Sequence, residues 1–425
     1  MRTRFAWIAG IVVLVAIGAL MACSSKYTNH FNGLVVVSTY SGDNVMETFS
    51  LDLGNGQMTQ INNANGPPTP APATAVVLDP AGAYAYVLIP QSSAIAVYPV
   101  NSDGTLGSSL GTTTLSDTEL IVGSTTEKIP VVPVTMAMDS AGKFLFIADA
   151  STSDSASNPV PGTISVLAIG SNGSLAEVSS SSTETKPFAL PIQPGGQPAD
   201  PSALAVTPTG FPTLYAPCSG HVPPTTEDLY VTDFVNNIVL NYTVSSTGFI
   251  ALVNTGGSTL GVPTGTRPNG VTVDPCNRFV YVGNQQSNSV SAYTICNAVS
   301  LPQCQNADDS LLAVPGSPFN SGNGAGPLLE DAYAGFLYVL ASNADAVYGY
   351  KISPTNGALT PLSPAFVATN AYPTSIAIRS DDSFMFVANF NSGTLSEYGV
   401  TPGDGALTVL TPVTTFPTPW GVAVK

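Results

Sequence analysis

Arg267-Pro268-Asn269-Gly270-Val271-Thr272-Val273-Asp274-Pro275 and, after a short turn, Phe279-Val280-Tyr281-Val282-Gly283-Asn284 form the stretch whose reading decides the fold. An apolar strand runs into a tight turn, and a second strand closing on Tyr-Val leads out of it. Asp caps such a turn with its side chain and Pro sets φ at the next position. The same turn returns at Asp79-Pro80-Ala81-Gly82 and Asp139-Ser140-Ala141-Gly142, where Gly accepts positive φ. These aspartates read as structural turn caps, not catalytic carboxylates.

Outward from this stretch the pattern repeats. The Tyr-Val position recurs at Leu34-Val35-Val36, Tyr86-Val87, Phe146-Ile147, Tyr230-Val231, Tyr281-Val282, Tyr338-Val339 and Phe386-Val387. A following strand closes on Phe49, Tyr98, Leu167, Tyr242, Tyr293, Tyr350 and Tyr398. A Gly-x-Leu step comes next, at Gly104, Gly173, Gly357 and Gly405, with Gly56-x-Met58 in the first copy, Gly248-x-Ile250 in the fourth and Asp309-Ser310-Leu311 standing in its place in the fifth. Each unit holds four short strands and too few apolar residues for a core of its own, so stacking around an axis must bury both faces. The expectation is an all-β, seven-bladed β-propeller of four-stranded antiparallel blades. The longest insertions, Gly107 to Pro133 and Ser179 to Asp200, fall between the second, third and fourth copies, and Phe211 to Glu227 interrupts the fourth.

The first copy lacks its inner strand, and Pro419-Trp420-Gly421-Val422-Ala423-Val424 matches what is missing. The C-terminus is therefore expected to complete the first blade beside Leu34–Val37 and close the ring.

Ahead of the repeats, Arg2 and Arg4 precede a charge-free apolar run from Phe5 to Ala22, ending Leu20-Met21-Ala22-Cys23-Ser24. This is the recipe of an export signal; a membrane-spanning helix is the competing reading, which needs about 20 apolar residues. Leu-x-Ala-Cys resembles the bacterial lipobox, which implies cleavage before Cys23 and a lipid on its thiol. The expected organisation is a signal over 1–22, a lipidated tether over 23–33 and the propeller over 34–425, exported and anchored in the cell envelope. Ser24 resembles the sorting signal for an outer membrane.

Formal charge is -16, and losing Arg2 and Arg4 takes it to -18. Such an acidic surface repels phosphate backbones and anionic headgroups, so nucleic-acid binding is excluded and membrane contact falls to the lipid. The 39 glycines and 36 prolines, with only 9% charged residues, fit many turns and an all-β chain. After Cys23 four cysteines remain, Cys218, Cys276, Cys296 and Cys304, an even number in an exported chain. Cys296 and Cys304 bracket a short insertion and are expected to staple it, leaving Cys218 to Cys276. A metal site is disfavoured: there is no Cys-x-x-Cys, the only adjacent acidic pairs are Asp308-Asp309 and Asp381-Asp382, and no cofactor is implied.

The repeat as a whole resembles the lactonase-type seven-bladed propellers and the YVTN-repeat surface proteins, most closely at Arg267–Pro275, Phe279–Asn284, Pro315-Gly316-Ser317-Pro318-Phe319 and Phe384–Asn389. The resemblance implies an active site over the central channel on one face. Members include bacterial-type 6-phosphogluconolactonases and a fungal muconate cycloisomerase, thought to use His, Arg and carboxylate groups there. The inventory here is thin. The histidines, His30 and His221, lie outside the repeated strands, and beyond the signal the arginines are Arg267, Arg278 and Arg379. Arg278 and Arg379 sit at turns and read as structural. Arg267 leads into an inner strand and with Asn269 is placed to hold a carboxylate in a bidentate contact; pairing with a loop acid is the alternative. Asp149, Asp233, Asn284 and Asn389 follow the Tyr-Val strands at equivalent positions. They are candidates for a polar ring at the mouth, or else for satisfying turn backbone.

Two functional expectations follow. The first is a monomeric cell-envelope binding or scaffold propeller, taking a small molecule, glycan or protein at the channel mouth. The second is an extracytoplasmic lactone hydrolase.

Overall fold

The computed structural model describes residues 33–425 except 41–43, 62–65, 123–124, 181–186, 195–196, 209–226, 254–259, 297–303, 305–307, 334 and 416. Seven antiparallel sheets stand around a central channel, and one 3-10 turn, Pro90–Ser92, is the only helical element among these residues. Their inner strands are Pro419–Val424, Ala75–Leu78, Pro133–Met138, Pro201–Val206, Pro268–Val273, Ala325–Glu330 and Pro373–Ile378, numbered here as blades one to seven. The ring closes as the sequence demands: Val35 pairs with Val424, Val36 with Ala423 and Val37 with Val422.

No blade carries a core alone. Seven apolar clusters fill the seven junctions, each drawing on two neighbouring blades. The closing junction packs Val35, Val37 and Phe49 of blade one on Phe384, Phe386 and Leu395 of blade seven. Burying each large apolar side chain contributes about 1.5–3 kcal/mol, so the junctions, not the sheets, hold most of the hydrophobic stabilisation.

The repeated residues prove to be the junction hardware. The Gly-x-Leu glycine takes a left-handed turn whose α-carbon lies against the aromatic that opens the second strand of the preceding blade. A β-carbon at Gly357 (φ 73°) would sit 2.6 Å from Phe279, and one at Gly405 (φ 69°) 2.5 Å from Phe336. Gly173 meets Tyr84, Gly248 meets Phe144, and Gly56 meets Phe384 across the closure. The closing tyrosines have a second task. Tyr98, Tyr293, Tyr350 and Tyr398 each donate a phenolic hydrogen bond to a carbonyl thirty positions upstream, on Pro68, Pro263, Asn320 and Ala368. Each bond ties a blade to the connection that feeds it, worth about 1 kcal/mol when buried.

The turn aspartates do what their spacing implies. Asp79 accepts from the backbone N–H of Ala83 and Tyr84, Asp139 from Lys143 and Phe144, and Asp331 from Gly335 and Phe336. The Cys296–Cys304 disulfide is present, with Cα atoms 5.3 Å apart. Cys276 is disulfide-bonded; Cys218, Cys23, His30, His221 and the insertion 211–226 lie outside the described residues. No helix among the described residues is long and apolar enough to cross a membrane. Two accessory hairpins, Thr118–Val122 with Thr125–Ile129 and Thr152–Ser153 with Pro159–Val160, stand at the end of the ring where the inner strands begin. Glu127 joins them by accepting from the N–H (2.7 Å) and hydroxyl (3.0 Å) of Ser155.

Candidate binding site at the channel mouth

Every inner strand starts at the same end of the ring, and toward that end the channel holds a cavity of about 380 Å³ lined by all seven of them. Its polar groups are neutral: the hydroxyls of Thr74, Thr135, Ser202, Thr374 and Ser375 and the amide of Asn269. None of the lining residues titrates. Part of this polarity is already used between blades, since Ser202 donates to the Pro268 carbonyl (2.6 Å) and Thr374 to that of Trp420 (2.9 Å).

In six of the seven blades two positions build the rim above this cavity. One is the residue leading into the inner strand; the other follows the end of the second strand and donates its N–H to the first one's carbonyl. The pairs are Thr418 with Tyr40, Val132 with Ala150, Asp200 with Phe234, Arg267 with Gln285, Gly324 with Ser342 and Tyr372 with Phe390. Four leading residues are left-handed: Arg267 (φ 54°), Gly324 (φ 79°), Tyr372 (φ 56°) and Thr418 (φ 60°). For a non-glycine residue that costs about 1–2 kcal/mol, and a hairpin side chain of the preceding blade offsets it. The N–H of Arg267 donates to Asn237 Oδ1 (2.7 Å), that of Gly324 to Asn288 Oδ1 (2.9 Å) and that of Tyr372 to Asp345 Oδ1 (2.7 Å).

Arg267 is exposed, makes no ion pair among the described residues, and lays its guanidinium over the Phe234 ring, 5.2 Å from the centroid. The loop-acid alternative therefore has no support, and the side chain's donors stay available. Asn269 lies two residues further in, on the cavity wall. Asp200 holds the leading position one blade earlier, its Oδ1 accepting from Ser151 N–H at 2.8 Å.

The four candidates for a polar ring face inward, and Asp233 follows the turn-backbone alternative, its Oδ1 accepting from the N–H of Val235 and Asn236. Asp149, Asp233, Asn284 and Asn389 are buried, between 0% and 1% exposed. Asp149 accepts from Thr163 Oγ1 and Ser165 Oγ, and burial pushes its carboxyl up to about 7. Asn284 Nδ2 donates to Ser291 Oγ (3.0 Å), Asn389 Nδ2 to Ser396 Oγ (2.9 Å), and Asp233 Oδ2 accepts from Asn236 Nδ2 (2.7 Å). They tie their own hairpins. The next residue along reaches the rim, because successive side chains of a strand point to opposite sides. Counting one residue past each Tyr-Val strand's polar end would have found Phe234 and Phe390.

Arg278 is buried at the opposite end of the ring, 2.6 Å from Asp274 Oδ2, and Arg379 pairs with Asp381 at 2.8 Å; both are structural. Among the described residues no group of three or more His, Cys, Asp or Glu side chains is placed to hold a metal.

Residues 224–424 match the family model described as lactonase, 7-bladed β-propeller, taking in most of blade four, blades five to seven and the closing strand. The resemblance expected from the repeats is met over these residues. A search of curated protein sequences finds no match. Among solved structures, a 6-phosphogluconolactonase candidate from Bacteroides fragilis superposes with a TM-score of 0.65 at 16% identity, covering 94% of this chain and 100% of its own. The periplasmic gluconolactonase PpgL of Pseudomonas aeruginosa gives 0.63 at 16% identity, over 92% of this chain and 98% of its own.

Proposed function

We propose that this lactonase-like propeller is an exported protein, held at a membrane by a lipid on Cys23, that opens an uncharged sugar lactone at its channel mouth. The observation that carries the reading is the cavity of about 380 Å³ whose polar lining is wholly neutral, with the Asp200 carboxylate and the Arg267 guanidinium two residues ahead of its lining residues Ser202 and Asn269. A phosphorylated lactone needs several cations, whereas Arg267 is the single cation among the six leading residues. The family match over residues 224–424 and the names of the similar structures support lactone chemistry. Export away from cytoplasmic sugar phosphates supports the uncharged substrate.

In this reading Asp200 takes a proton from water as its oxygen attacks the lactone carbonyl. Arg267 and the Asn269 amide donate to the oxyanion that develops. The carbonyl carbon–ring oxygen bond then breaks, and the ring oxygen receives the proton, leaving the open hydroxy acid. A binding or scaffold role without turnover is the second reading, favoured by the same neutral lining, which brings no titrating side chain to the cavity wall.

The test is hydrolysis above the spontaneous rate by the full-length protein in a non-glycosidic detergent. Glucono- and galactonolactones serve as substrates, with 6-phosphogluconolactone for contrast. Turnover of the neutral lactones, reduced about 10²-fold or more by Asp200→Asn and also lowered by Arg267→Ala, is expected. Binding without turnover would leave the scaffold reading; preference for the phosphorylated lactone would overturn the substrate class.

A further inference from the structure

Beside the cavity, on blades seven and one, four aromatic rings from distant parts of the chain meet. Tyr40 and Trp420 pack with centroids 5.1 Å apart, and Phe390 meets Trp420 edge-on at 5.2 Å. Phe390 also touches Tyr40 at 6.1 Å and Tyr372 at 6.3 Å. This is not core packing. Tyr40 is 42% exposed and Tyr372 38%, while Trp420 also forms part of the cavity wall. Tyr372 is held left-handed by its bond to Asp345, so backbone strain is accepted to present a ring at this spot.

We infer that these rings form a stacking subsite for a neutral pyranose, continuous with the cavity, so that the ligand is at least a disaccharide with its terminal unit in the channel. The chemistry selects this class. One face of a pyranose carries C–H groups that lie flat on an aromatic ring, while its edge of hydroxyls needs neutral donors and acceptors, and the cavity offers both. A stacked nucleotide is disfavoured by the formal charge of -16, which repels phosphate. The inference rests on the lactone reading of the same site and extends it: the substrate class becomes the lactone at the end of an oligosaccharide.

The chain has a built-in reporter. Its two tryptophans are Trp7 and Trp420. In full-length protein carrying Trp7→Phe, emission comes from Trp420 alone. Titration with cellobiose should change that emission and saturate, at concentrations well below those needed for glucose. Tyr40→Ala and Tyr372→Gly should each weaken cellobiose binding roughly five- to tenfold with no fall in melting temperature; Phe390→Leu is the fallback should either variant unfold. Equal affinity for glucose and cellobiose, or cellobiose binding indifferent to all three substitutions, would overturn the subsite. Absence of lactone turnover in the unsubstituted protein, with saccharide binding intact, sinks only the hydrolase reading, and turnover of simple lactones without Trp420 response sinks only the subsite.

Discussion

Asp228 and Asp309 face each other across the junction of blades four and five, in the places where five other junctions put an aromatic ring and a glycine. Asp228, second residue of the second strand of blade four, pairs in the register that Phe279 takes in blade five, and Asp309 (φ 57°) holds the left-handed turn that Gly357 holds one blade later. Asp228 is 3% exposed, and its Oδ1 has no hydrogen-bond partner. Burial first, and then the charge of Asp309, push its carboxyl up to about 7.

The sign of the consequence is fixed. A carboxyl raised from 3.8 to about 7 binds a proton in the folded state that the unfolded state has already released. Its favourable contribution is complete below about pH 4 and is lost as pH rises through 7. Asp228→Asn should therefore melt like the parent at pH 4.5 and above it at pH 8, by on the order of 2–4 kcal/mol. Thermal melts of both proteins across this range check it; a gap that does not widen with pH would refute the assignment.

The glycine lock is separable into strain and contact. Gly357→Ala meets both a left-handed backbone and the Phe279 ring 2.6 Å away, whereas Gly403 (φ 90°) has nothing within 4 Å of an added β-carbon. Gly403→Ala should cost about 1–2 kcal/mol, and Gly357→Ala a further 1–3 kcal/mol from overpacking. Denaturant unfolding of the two variants reads the difference directly.

Ring closure rests on a terminal strand. Deleting Trp420–Lys425 strips the pairing partner from Leu34–Thr39 and uncovers the blade seven junction, including buried Val422. The melting temperature should fall by roughly 10 °C or more, with loss of cooperativity. An unchanged melt would mean that the six remaining junctions suffice.

The rim depends on its hairpin acceptors. Asn237→Ala removes the oxygen that receives the Arg267 N–H, which should cost about 1 kcal/mol of stability but lower lactone turnover more than tenfold by letting the guanidinium leave its place over Phe234. Asn237→Asp, which keeps the acceptor, should restore most of the rate in steady-state kinetics.

Much of this molecule was open to reading before any coordinates. Seven copies, capped turns, the closing strand Pro419–Val424 and the Cys296–Cys304 staple depend on local spacing, and local spacing is what a chain records directly. The role of each repeated residue was less legible. Gly357 and Phe279 lie far apart in sequence, and only stacking two blades shows that one exists to admit the other.

The site marks the boundary most clearly. Arg267 was visible because its cation stands out in a chain so poor in charge, and the structure keeps it on the rim. The neighbouring choice of Asp149, Asp233, Asn284 and Asn389 fell one residue short, since a single step along a strand exchanges a buried side for an exposed one. No local pattern could join Tyr40, Tyr372, Phe390 and Trp420. By itself the sequence determined how many blades form and where the ring closes, because those follow from repetition. Closing the ring decided which side chains share the mouth, because it alone brings the two ends of the chain to one rim.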